Sequence, residues 1–128
     1  MVKWHHDSYG YESGRNLNYK YRKLSSSGDF FATVMGWLSN VQAGGCTGFI
    51  FDDHESVLKP VKGSAAFWFN LNAAHRNDLR TSHGGCPVLK GSKWIFNKWI
   101  FSFDQWKNFP CSAQEYDHIL PFLGTYTN

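Results

Sequence analysis

Residues 82–101 read SHGGCPVLKGSKWIFNKWIF, and the reading of this stretch decides the fold. Two short apolar runs, CPVL and KWIFNKWIF, flank the break KGS. Trp, Ile and Phe suit a pleated, half-buried surface, and Gly and Pro punctuate too often for a helix. The stretch predicts two successive strands. Three other runs have the same character. FFATVMGWLSNV (residues 30–41) is stopped by AGG, and CTGFIFDD (46–53) ends in the polar turn DDHES. GSAAFWFNL (63–71) follows the turn-like KPVKG and precedes the polar loop NAAHRNDLRTS. Strands of this length divided by Gly, Asn, Asp and Pro predict an all-β sandwich or barrel. Only the tail, SAQEYDHILPF (112–122), offers a short helix, ended by Pro121.

A chain of 128 residues predicts a single domain with a modest core. Hydrophobic residues at 42% exclude a disordered composition, and a net charge of +3 gives no reason to invoke nucleic acid. The basic, aromatic YKYRK (19–23) reads as solvated, inside a polar segment (8–29) that reads as a lid-like loop. No apolar run reaches the ~20 residues of a membrane span, and MVKWHHDSYG lacks the apolar core of a signal peptide. The three cysteines, Cys46, Cys86 and Cys111, include no C-x-x-C pair. Buried thiols and one disulfide with one free thiol both remain open.

The chemistry starts at WHHDSY (4–9). On an extended strand, residues i and i+2 share a face, so His5 and Asp7 point together while His6 faces away. H-x-D with one distant His is the sequence form of the two-histidine, one-carboxylate triad that holds non-haem Fe(II) and leaves positions open. His83 is the candidate third ligand, although a His in SHGG is more often a loop residue. Lys93 lies ten residues further on among Trp94, Ile95 and Trp99. An ammonium buried there needs an anion, and a dicarboxylate chelating the iron would supply one. The plainer alternative is a lysine snorkelling to solvent. DDHE (52–55), His75 and His118 read as solvated polar residues.

AGGCT, KGSAAFWFNL, HGGCPVLKGSKWIFNKWI and the closing PC, with WHHD and FATVMGWLSNV upstream, resemble the catalytic domain of collagen-type prolyl 4-hydroxylase α subunits. The resemblance implies a double-stranded β-helix (a jelly roll, cupin-like), here without the family's N-terminal helices and first strand. It makes residues 1–128 one catalytic domain, whole or truncated. It assigns His5, Asp7 and His83 to iron and Lys93 to the far carboxylate of 2-oxoglutarate. The lysine favours the collagen-type branch over the oxygen-sensing hydroxylases, which use arginine there. Cys86 and Cys111 align with a disulfide pair, leaving Cys46 as the spare thiol. The implied activity is hydroxylation of peptidyl proline at C4 in a collagen-like or other proline-rich substrate. It consumes O2 and 2-oxoglutarate, yields succinate and CO2, and is supported by L-ascorbate. The implied setting is the endoplasmic reticulum lumen, with a protein disulfide isomerase-type subunit as partner.

The chain departs from that pattern at Phe101, where the family has a histidine that orients the cosubstrate, and at Ser82, where relatives often have arginine. Only four residues precede His5. The contrasting expectation is a jelly-roll module without catalysis that binds a proline-rich peptide or a partner through its aromatic groove.

Overall fold

Strand β2 (Phe30–Trp37) organises the molecule. Its residues are predominantly apolar on both faces, and all but Phe30 and Val34 are buried. A strand with two apolar faces belongs in the middle of a sheet. In the computed structural model, which describes residues 2–9, 27–51 and 54–114, β2 lies between β6 (Ala65–Phe69) and β9 (Ile95–Phe101). Both pairings are antiparallel, and Thr33 faces Trp68 on one side and Trp99 on the other.

The second sheet has four strands in the order β1 (Val2–His5), β7 (His83–Gly85), β4 (Thr47–Phe51), β5 (His54–Leu58). A small third sheet pairs β3 (Ala43–Gly44) with β8 (Val88–Lys90). Gly44 and Gly45 both adopt positive φ there, which explains why the AGG of the sequence ends one strand system and starts another.

The core joins the two larger sheets. Met35, Trp37 and Trp68 of the three-stranded sheet pack against Phe49 of β4 and Leu58 of β5. A second cluster, Phe31, Ala32 and Leu71, is closed by Phe69, Ile100 and Phe109. Two antiparallel sheets face to face make the all-β sandwich that the strand spacing predicts, of the jelly-roll type that the resemblance implies. No helix among the described residues is long and apolar enough to cross a membrane.

Three expectations change. HESVL is not part of a turn after CTGFIF; its residues form β5, hydrogen-bonded along all of β4. His83 is a strand residue and not a loop residue, because SHGG supplies the middle of a sheet in which glycines admit the neighbouring Trp4 ring. Asp7 does not continue a strand from His5. β1 ends at His5, and Asp7 sits in the bend that follows. The tail at 112–122 lies outside the described residues from 115 onward, and so do YKYRK, most of the 8–29 loop, Asp52, Asp53 and His118.

Candidate metal and anion site

β7 lies between β1 and β4, so two histidines from distant parts of the chain become cross-strand neighbours: His5 is the register partner of His83. Their ring centroids are 4.4 Å apart. Asp7, just past the end of β1, turns back towards both. Its Oδ1 stands 3.4 Å from His5 Nε2 and 3.8 Å from His83 Nε2. One ligand atom from each of the three lies within 4.8 Å of the others.

The other polar atom of each side chain is already engaged. His5 Nδ1 lies 2.7 Å from the Lys3 carbonyl and His83 Nδ1 lies 2.9 Å from the Thr81 carbonyl. A carbonyl only accepts, so each Nδ1 carries a proton, and in the neutral ring Nε2 is the nitrogen that keeps its lone pair. Asp7 Oδ2 accepts from the Thr33 hydroxyl at 2.8 Å, and Thr33 Oγ1 in turn accepts from Asn70 Nδ2 at 2.8 Å. Thr33 and Asn70 are almost fully buried. With Asn70 donating into its oxygen, the Thr33 hydroxyl proton is directed to Asp7, leaving Oδ1 free. Ser8 adds a further tie, donating to Asn77 Oδ1 at 2.6 Å.

Two imidazole lone pairs and one carboxylate oxygen, each aimed by a hydrogen bond on its far side, are the donor set that suits a divalent transition metal. Burial pushes the His83 pKa below its ordinary value. The ring therefore stays neutral and able to donate its lone pair near pH 7.

The second part of the site is Lys93, in the segment that leads into β9. Its Nζ donates to the Cys46 carbonyl at 3.2 Å and to Thr47 Oγ1 at 3.1 Å. Burial lowers its pKa as well. The surroundings differ from the expected ones, since Trp94 is 67% exposed and Ile95 and Trp99 also face outward. The lysine is held by the start of β4. Among the described residues no carboxylate pairs with it, so a half-buried cation has only neutral acceptors. That is the electrostatic condition for an added anion.

The Cys86–Cys111 pairing is overturned. The disulfide joins Cys46 to Cys86, with Cα atoms 4.9 Å apart, and Cys111 is free and exposed. The cause is the β4–β7 ladder. Thr47 pairs with Gly85, so the residues just outside it, Cys46 and Cys86, meet, with Cys86 N donating to Cys46 O at 2.9 Å. Cys111 is tied elsewhere, because Ser112 N donates to the Ala73 carbonyl.

His75 adopts positive φ and packs against Phe31, with Nε2 3.3 Å from the Phe109 carbonyl, which is a structural role. Phe101 ends β9 and packs on Phe30, with ring centroids 5.0 Å apart. Ser82 follows the 3-10 turn at Leu79–Thr81, and its carbonyl accepts from Ile50 N. The sequence reading missed Thr33, Asn70 and Thr47. A threonine within FFATVMGW was the available signal, a lone hydroxyl in an otherwise apolar strand.

Residues 1–101, which carry both parts of this site, match the 2OG-Fe(II) oxygenase superfamily. The chain belongs to that superfamily. Within it, this oxygenase chain is 42% identical over 94 residues to prolyl 4-hydroxylase subunit alpha-2 of Gallus gallus, covering 73% of this chain and 17% of that protein. It is 45% identical over 91 residues to subunit alpha-3 of Mus musculus, covering 71% and 16%. The chain thus spans about a sixth of the length of these curated relatives. Among solved structures, it is similar to the viral collagen prolyl hydroxylase of Paramecium Bursaria Chlorella virus-1 in its 2OG complex. The TM-score is 0.62 at 25% identity, over 79% of this chain and 51% of that one. The expected kinship with prolyl 4-hydroxylase α subunits is borne out.

Proposed function

We propose that this chain is a 2-oxoglutarate-dependent dioxygenase domain that hydroxylates peptidyl proline at C4, with His5, Asp7 and His83 holding Fe(II) and Lys93 holding the far carboxylate of 2-oxoglutarate. The observation that carries this reading is the convergence of three aimed ligand atoms on the sheet that also presents the Lys93 anion seat. The donor set fits the metal, and the unpaired ammonium fits a dicarboxylate.

When bound, Fe(II) with 2-oxoglutarate and O2 supplies the oxidising chemistry, giving one oxygen atom to the substrate and one to succinate as CO2 leaves. The residues of this chain supply position. His5 and His83 offer Nε2 because the Lys3 and Thr81 carbonyls hold Nδ1. Thr33 occupies Asp7 Oδ2, so only Oδ1 turns towards the histidines. Lys93, held against the start of β4 by Cys46 and Thr47, would fix one end of the cosubstrate and so set the orientation of the other.

Tyr9, two residues after Asp7, joins Phe30, Trp99 and Phe101 in a continuous set of aromatic contacts, with Phe30 stacked on Trp99 at 5.1 Å. Rigid aromatic faces suit the polyproline II form of a collagen-like or other proline-rich peptide. The Cys46–Cys86 disulfide supports an oxidising compartment, which agrees with the endoplasmic reticulum lumen and a disulfide isomerase-type partner. L-Ascorbate is the expected reductant for turnovers that lose their substrate.

The test is incubation with Fe(II), 2-oxoglutarate, ascorbate and a proline-rich collagen-like peptide, followed by mass spectrometry and succinate assay. Hydroxylated proline matched by succinate, both lost in Asp7→Ala, is the expected result. Peptide binding without modification or cosubstrate consumption would instead establish a non-catalytic peptide-binding module.

A further inference from the structure

Two of the buried side-chain polar atoms that lack a hydrogen-bond partner among the described residues are indole donors, Trp37 Nε1 and Trp68 Nε1. Both rings are over nine-tenths buried. A buried N–H without an acceptor is costly, and native structures rarely keep one unless water or a ligand completes it. Two in one cluster call for a common explanation.

Their positions provide it. Trp68 stands edge-on to the ring of His83, with centroids 4.9 Å apart, so it borders the metal end of the site. Trp37 is the register partner of Ile95, and the ladder continues past it, with Leu38 N donating to the Trp94 carbonyl at 2.8 Å. Trp37 therefore lies against the segment that carries Lys93. Leu58, packed on the same Trp37–Trp68 cluster, is the register partner of Thr47, whose hydroxyl receives Lys93 Nζ. The two indoles thus lie in the layer between the metal triad and the anion seat.

We propose that Trp37 and Trp68 donate their indole N–H groups to bound 2-oxoglutarate, Trp37 at the carboxylate on Lys93 and Trp68 at the oxo-acid end beside His83. Indole N–H only donates, and so does an ammonium. A ligand that satisfies all three must present acceptors at both of its ends, as a dicarboxylate does. An apolar ligand would leave both indoles unmade, and a second cation would repel Lys93. The assignment rests on the reading of this site as a 2-oxoglutarate site.

The test is the indole region of a ¹⁵N–¹H correlation spectrum of the whole chain loaded with Zn(II), a redox-inert probe metal, before and after addition of 2-oxoglutarate. Six tryptophans give six indole signals, and Trp37→Phe and Trp68→Phe assign two of them. The expected result is a downfield shift of both assigned signals on ligand addition, while exposed Trp94 and Trp106 stay in place. Calorimetry should then show each Phe variant losing about tenfold in 2-oxoglutarate affinity, the order expected for a hydrogen bond to a charged group. Zn(II) affinity should be unchanged. Cosubstrate binding that depends on Lys93 but moves neither signal would overturn the indole assignment and leave the proposed function standing. No cosubstrate binding by the folded, Zn(II)-loaded chain would overturn both. If one Phe variant misfolds, the other still assigns its own signal, and whether that signal moves in the parent chain decides its half of the assignment.

Discussion

The two ends of the site are built by different means. At the metal end, each histidine is aimed by a carbonyl two residues before it, and Asp7 lies two residues after His5. Two long-range contacts, β1 on β7 and Thr33 on Asp7, complete the set. At the anion end almost nothing is local. Lys93 is held by groups 46 and 47 residues away in sequence, and Cys46 is itself fixed by a disulfide to Cys86. Local aiming of the two histidines, with one threonine behind Asp7, makes the metal end a matter of single side chains. The anion end depends on how strands β4, β7 and β9 are held together.

That contrast can be broken at several points. The largest effect is expected from Asp7→Ala or His83→Ala, which should abolish measurable divalent-metal binding by calorimetry while the β-sheet circular dichroism persists. Lys93→Ala should leave metal affinity intact and weaken 2-oxoglutarate by about 30-fold or more, since it removes one partner of a charge-assisted pair. Equal loss of metal affinity in that variant would mean that the two ends are not separable. Thr33→Val should lower metal affinity by about 10- to 100-fold, as loss of an outer hydrogen bond to a ligating carboxylate does. Thr33→Ser should restore most of it.

The disulfide sharpens the comparison from the other side. In the chain-entropy account, closing a loop of sequence separation 40 contributes about 4 kcal/mol of stability. Reduction, or Cys46→Ala, should lower the thermal midpoint and loosen 2-oxoglutarate more than metal. Cys111→Ala should do neither. The smallest effect is the pH dependence. Burial holds the folded-state pKa of His83 below the ordinary 6.5. Between those two values the unfolded chain binds the extra proton, so stability is full above about pH 6.5 and declines as pH falls through that window. Denaturant titrations at pH 7.5 and pH 5.5 should show the loss, and His83→Gln should reduce it.

The same division governs what could be read from the sequence. WHHD was legible because ligand type and short-range spacing are written along the chain, SHGG only through the family resemblance, and apolar runs between Gly and Pro marked most of the strands. HESVL escaped because its first residues are polar, and only pairing with β4 makes them a strand. The Cys46–Cys86 bond escaped because it follows from which strands are neighbours, a property with no local signature. The same holds for the surroundings of Lys93. Trp37 and Trp68, whose buried indole N–H groups lack an acceptor among the described residues, look in the sequence like ordinary core tryptophans. Asp7 was placed correctly beside His5 by a geometry it does not have, since a bend and the Thr33 hydroxyl turn it inward.

The central claim is that both ends serve one ligand. Anaerobic calorimetry of 2-oxoglutarate against the purified chain, with and without Fe(II), and against Lys93→Ala, tests it most directly. The account predicts binding that requires the metal and collapses in the lysine variant. Binding indifferent to the metal, or unchanged without the Lys93 ammonium, would contradict it.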